Sequence, residues 1–136
     1  MAKPLTCTAL ASLGLAAVAA CAPSPAPGPS SYAAEGGRPC FAASEVHNFR
    51  GDDSGPIYVR ARVSEVFELA TAGCPGFNFA NSLNLRPDGA SDQFCVGDSG
   101  RFMPSGAGTA GVVCAVRVTR KLTPEQVAAL PDRLQP

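Results

Sequence analysis

The segment Ile57-Tyr58-Val59-Arg60-Ala61-Arg62-Val63 decides how this chain reads. Ile57, Val59, Ala61 and Val63 fall on one face, and Tyr58, Arg60 and Arg62 on the other. Successive side chains of a strand point to opposite faces, so an apolar row alternating with a polar one predicts a half-buried strand. The polar face is expected to be solvated, with Tyr58, Arg60 and Arg62 as its exposed surface. Residues 66–71 carry Phe67 and Leu69 on one face and are expected to form its hairpin partner.

The same pattern recurs on both sides. Residues 111–119 alternate Val112, Cys114, Val116 and Val118 with Val113, Ala115, Arg117 and Thr119. Residues 82–86 offer Leu83 and Leu85 before Pro87-Asp88-Gly89, a strong turn signal. Residues 93–96 and 101–103 are short strand candidates around the turn at 97–100, and residues 46–50 an opening strand. One helix is signalled by Thr123-Pro124-Glu125-Gln126. It supplies an N-cap, a proline at the first helical position, an acid in the first turn and Gln three residues after the cap. Pro131 limits it to about two turns. Many short strands separated by Gly and Pro turns predict a mainly β domain over residues 38–136. Its expected form is a small disulfide-stapled antiparallel barrel or sandwich with a short C-terminal helix.

The N-terminal stretch has a different character. Met1 to Pro4 carries Lys3, residues 5–18 are apolar and small, and Val18-Ala19-Ala20 leads to Cys21. These are the parts of an export signal, and the apolar run is shorter than the about 20 residues a span requires. Val18-Ala19-Ala20-Cys21 resembles a bacterial lipobox, which implies cleavage after residue 20 and lipidation of Cys21. Ala22, rather than an aspartate, follows the lipidated position, which by the same resemblance implies the outer membrane. The expected location is the periplasmic side of the cell envelope, with the membrane as a partner through the lipid on Cys21. Residues 21–37 then form a linker rich in Pro, Ala, Ser and Gly that cannot bury enough apolar surface to fold.

The whole chain holds 11 basic and 11 acidic residues, and loss of Lys3 with the leader leaves 10 against 11. No basic patch points to nucleic acid. Cysteine usage fits export. Removal of residues 1–20 discards Cys7, and lipidation occupies Cys21, leaving Cys40, Cys74, Cys95 and Cys114 for two disulfides. Three pairings are open. Cys40–Cys114 with Cys74–Cys95 is favoured, because Cys40 opens the domain and Cys114 lies on the inward face of a late strand.

Several motifs tempt a chemical reading. Gly97-Asp98-Ser99-Gly100 spells the segment around the nucleophile of trypsin-like proteases, but a hydrolase also needs a base oriented by an acid. The single histidine, His47, lacks that family's context, and Gly, Asp and Ser are turn residues on backbone grounds. Asp52-Asp53-Ser54-Gly55 and Asp88-Gly89-Ala90-Ser91-Asp92 place acids in turns without the spacing of a calcium loop. No C-x-x-C pair or zinc spacing occurs. No cofactor and no catalytic residue is therefore expected.

Taken in order, seven segments resemble a family of small exported bacterial proteins known as a domain of unknown function. They are Cys40-Phe41, Val46-x-x-Phe49, Ile57-Tyr58-Val59, Phe67-x-Leu69 with Cys74-Pro75-Gly76-Phe77, Cys95-Val96-Gly97-Asp98, Cys114-Ala115-Val116 and Leu122-x-Pro124-Glu125-x-Val127. The resemblance spans residues 39–130 and implies a four-cysteine β-domain with a short C-terminal helix. It carries over no catalytic residue. The expected function is a non-catalytic binding or structural module, presenting loops or a strand edge to an envelope protein. The rival is a small anchored inhibitor of a lytic enzyme or protease, acting through residues 87–92 or 103–111. An enzyme would instead need His47 gathered with Asp52, Asp53 or Asp98.

Overall fold

A computed structural model describes residues 37–106 and 108–136. The leader, Cys21 and most of the linker lie outside the described residues. Among the described residues eight strands form: β1 (Cys40–Ala42), β2 (Val46–Gly51), β3 (Ile57–Ala61), β4 (Glu65–Thr71), β5 (Ala80–Pro87), β6 (Gln93–Cys95), β7 (Ser99–Gly106) and β8 (Cys114–Leu122). Short 3-10 turns follow β1 at Ala43–Glu45 and precede β5 at Phe77–Phe79. All strand pairs are antiparallel. Six strands make one sheet in the order β2-β3-β4-β8-β7-β5, and β1 pairs with β6 in a second. The large sheet curls into a half-barrel. Phe49 of β2 meets Phe102 of β7 at 6.2 Å between ring centroids, although three strands separate them in the sheet.

The interior follows from alternation. Ile57, Val59 and Ala61 of β3, Phe67 and Leu69 of β4, and Cys114, Val116 and Val118 of β8 are buried together with Phe102. Phe41 of β1 and Phe94 of β6 are also buried; Phe41 lies 4.6 Å from Phe67 and 5.6 Å from Phe94 between centroids. The small sheet thus plugs the half-barrel with two aromatic rings.

Three expectations need correction. The strand beginning at Ile57 ends at Ala61, because Arg62 adopts a left-handed backbone at φ 53° and reverses the chain. Val63 therefore stands on the turn, 91% exposed, rather than on the inward face. Second, the polar face of β3 is not solvated. Tyr58 is buried with Val66 and Leu122 under Val127, Leu130 and Leu134 of the C-terminal segment. Arg60 donates to the Pro136 carbonyl oxygen, and Arg62 pairs with Glu45 and Glu65. The helix that covers this face, α1 (Pro124–Ala128), starts as its sequence indicates. Thr123 Oγ1 accepts the Gln126 backbone N–H at 3.3 Å, and Gln126 Oε1 accepts the Thr123 N–H at 2.9 Å.

Third, the disulfides join Cys40 to Cys95 and Cys74 to Cys114, not Cys40 to Cys114 and Cys74 to Cys95. The cause is topological. Cys40 and Cys95 sit directly opposite in the β1–β6 register. Cys74, in the connection after β4, lies against the start of β8 at Cys114, with a Cα separation of 5.4 Å.

Glu45 ties the β1–β2 connection to the Arg62 turn. Burial opposes its ionisation, but the Ala42 N–H, donating to Oε2 at 3.0 Å, and the Arg62 guanidinium outweigh burial. Its carboxyl is held below the ordinary glutamate value. A depressed folded-state pKa stabilises at pH values above the unfolded-state pKa and is lost as pH falls through the folded one. Denaturant midpoints should therefore drop on acidification below the ordinary carboxylate range, and Glu45→Gln should reduce that drop. Identical acid profiles for the two proteins would refute this role.

Candidate functional site

The chemically suggestive residues are dispersed by the fold. His47 is exposed on β2, at a register irregularity between Val46 and Asn48, while Ser99 is exposed at the start of β7. Strands β3, β4 and β8 lie between them in the sheet. Asp98 serves the backbone: its Oδ2 accepts the Cys95 N–H at 2.9 Å, and its Oδ1 takes Arg38 at 3.1 Å. Gly97 turns with φ 100° and donates to the Val118 carbonyl at 2.8 Å, and Val118 donates back to the Asp98 carbonyl at 2.9 Å. Asp52 pairs with Arg133 at 2.8 Å, and Asp53 Oδ1 accepts the Asn78 N–H at 3.1 Å. Among the described residues no three His, Cys, Asp or Glu side chains gather as for a metal ion.

Gly100 gives the protease-like tetrapeptide a packing reason. A Cβ there would lie 2.5 Å from the Arg86 carbonyl oxygen and 2.5 Å from Cε1 of Phe94. Gly100→Ala should cost about 1–3 kcal/mol through overpacking against a backbone atom and a buried ring. Ser99→Ala, on an exposed side chain, should stay within about 0.5 kcal/mol. Equal thermal melts for the two variants would show that this corner is not closely packed.

What the fold leaves unfinished is the seam of the half-barrel. β2 and β5 are the outer strands of the large sheet, and among the described residues neither has a strand on its second side. An antiparallel strand turns half of its backbone N–H and C=O groups away from its partner. Both outer strands thus carry backbone groups without a ladder partner among the described residues, although Asp132–Leu134 packs beside β2 and Ala43–Glu45 beside β5.

One cleft lies between the two outer strands, and a second lies along β5 alone. The first, about 360 Å³, is lined by Phe49, Arg50 and Gly51 of β2, by Phe77 and Asn78, by Ala80 at the start of β5, and by Asp52 and Arg133. Its floor is aromatic, since Phe77 lies 5.6 Å from Phe49 and 5.3 Å from Phe102 between centroids. The second, about 410 Å³, runs beside Asn84, Leu85, Arg86 and Pro87 of β5, with Ala43 and the loop from Gly89 to Asp92 as its other walls. Leu83, partly buried, packs on the core between them.

The edge charges are of one sign. β2 carries Arg50 and β5 carries Arg86; neither strand has an acid. Arg50 is exposed and donates to Asn48 Oδ1 at 3.1 Å and to the Phe49 carbonyl at 2.8 Å. Arg86 is exposed as well. Among the described residues neither guanidinium pairs with a carboxylate. The loop at 87–92 was legible from its turn residues, whereas the two free edges were not: an edge is defined by what fails to pair with it, and no local pattern encodes that. Compared with protein-family models, curated proteins and solved structures, the chain gives no significant match.

Proposed function

We propose that this protein is a lipid-anchored, non-catalytic binding module of the bacterial cell envelope, tethered through Cys21 and facing the periplasm, with its domain held from the outer membrane by the linker at residues 21–37. The resemblance to small exported bacterial proteins belongs to the same proposal. The observation that carries the binding role is the seam, with its two unpaired strand edges and the cleft at each end of β5. The anchor rests on Val18-Ala19-Ala20-Cys21. A single acyl chain binds a bilayer only marginally, so a stable tether takes the two or more chains that a lipobox implies.

Metabolic labelling with an alkyne fatty acid tests the anchor. The wild-type chain should take up label and sediment with envelopes, and Cys21→Ser should do neither. A labelled, membrane-bound Cys21→Ser protein would refute it. The non-catalytic half is tested with a fluorophosphonate probe. Neither wild type nor His47→Ala should be labelled at Ser99; labelling of wild type that His47→Ala abolishes in a still-folded domain would make the protein a serine hydrolase. Crosslinking in intact cells, followed by mass spectrometry, should return an envelope protein joined through residues of the seam. Joining through other surfaces alone would count against the seam as the binding face.

A further inference from the structure

Resting on the binding role proposed above, we infer that the seam takes an extended, acidic peptide segment of a protein partner, which adds as a strand to the free edge of β5. Three observations converge. The first is the edge itself. β5 runs for eight residues with β7 on one side and, among the described residues, no strand on the other. Backbone groups on such an edge recognise any extended chain, and the pockets beside it select side chains.

The second is the placement of the clefts. Ala80 lines one and Asn84 to Pro87 line the other, so both adjoin β5, one at each end. At about 3.4 Å per residue, the distance from Ala80 to Pro87 corresponds to roughly 24 Å, the reach of a peptide of about eight residues. An apolar side chain at one end meets Phe49 and Phe77. The other end runs between Pro87 and the loop from Gly89 to Asp92.

The third is charge. Three arginines line the two clefts (Arg50, Arg86 and Arg133) against two aspartates, Asp52 and Asp92. Asp52 is already engaged by Arg133 at 2.8 Å, and Asp92 stands on the loop wall rather than on either edge strand. Of these three, Arg50 and Arg86, one on each edge strand, have no carboxylate partner among the described residues. Carboxylates on the incoming strand would supply the missing partners. A cationic strand would face like charge, and cross-strand like charges destabilise. The chain's own segment at residues 22–29, with four prolines, is a poor occupant because proline has no N–H to give a ladder.

The test uses the protein purified from envelopes in detergent and three synthetic eight-residue probes. One alternates valine with glutamate, one alternates valine with lysine, and the third repeats the glutamate sequence with alternate amides N-methylated. Fluorescence anisotropy reads affinity, and exchange of the backbone amides that residues 80–87 carry (Pro87 has none) reads strand addition. The glutamate probe should bind and slow exchange at β5, with the lysine and N-methylated probes at least about tenfold weaker, a difference of about 1.4 kcal/mol. Raising salt from 0.05 to 0.5 M should weaken binding, because exposed ion pairs are screened. Arg50→Glu combined with Arg86→Glu should invert the preference toward the lysine probe while leaving the thermal melt unchanged.

Three outcomes overturn the inference: no protection of residues 80–87 by any probe at millimolar concentration, equal binding of the N-methylated probe, or protection of β5 by self-association of this chain in the absence of peptide. None of these bears on anchoring, and if one of them occurs while crosslinking still returns an envelope protein joined through the seam, the binding role stands and this inference falls.

Discussion

Removal of all four cysteines of the domain, or full reduction of its two disulfides, should unfold the protein at 37 °C. The bridges close sequence separations of 55 residues for Cys40–Cys95 and 40 for Cys74–Cys114. Loops of this size restrict the unfolded chain enough to stabilise the folded one by about 4 kcal/mol each. Domains of about 100 residues have net stabilities of about 5–15 kcal/mol, so loss of both bridges removes most or all of it. Circular dichroism melts with and without reductant measure this directly. A reduced protein that still melts cooperatively within a few degrees of the oxidised one would show that the hydrophobic interior suffices alone. Paired replacement should separate the bridges. Cys74→Ala with Cys114→Ala frees the connection bearing Phe77 and loosens the aromatic floor of the first cleft. Cys40→Ala with Cys95→Ala frees the plug instead. Non-reducing peptide mapping should recover the Cys40 peptide joined to the Cys95 peptide.

The second large effect is expected from Phe102→Ala. Phe102 is completely buried in β7 and touches both Phe49 of β2 and Phe77. The contact with Phe49 holds the curl of the sheet, because it joins β2 to β7, which no hydrogen-bond ladder connects. Truncating a buried phenylalanine costs about 3–5 kcal/mol in lost transfer energy and residual cavity. In a domain of this size the melting temperature should fall by more than about 12 °C. The substitution should also raise amide exchange in β2, although the altered residue belongs to β7. A shift below about 5 °C, or faster exchange confined to β7, would mean that the curl is held by other contacts.

Local pattern carried the mainly β class, the antiparallel pairing of β3 with β4, and the start of α1, because each depends on residues adjacent in sequence. Alternation at Ile57, Val59 and Ala61 reports the inward face directly, and the capping box at Thr123 and Gln126 is complete within four residues. Alternation could not report what lies over the outward face. Tyr58 and Arg60 read as solvated because the residues that cover them, from Val127 to Pro136, arrive from the far end of the chain. The disulfide pairing failed for a related reason. Residues 93–96 read as a strand, but β1 has three residues, too short for a period to appear, so the pairing that sets Cys40 opposite Cys95 was not legible. Arg62 was read as the last outward residue of its strand, since a left-handed backbone at a non-glycine position has no sequence signature. The candidate site was partly legible. The turn at 87–92 was visible in its Pro, Asp and Gly, but the clefts beside β5 arise from the order of strands in space.

The β1–β6 bridge also determines how the domain responds to mechanical load. Tension on the chain ahead of Arg38 reaches the fold through Pro39 and then Cys40. There Pro39 accepts the Val96 N–H at 2.9 Å, and Cys40 is covalently joined to Cys95. Hydrogen bonds peeled from the end of a short strand fail one after another, and β1 has three residues with which to resist. A covalent link at its first residue shunts the force past Phe41 and Ala42 into β6, and from there through the turn at Gly97 into β7. The aromatic plug formed by Phe41 and Phe94 therefore sits behind the point where a pull on this end is taken up, and such a pull leaves the seam in register.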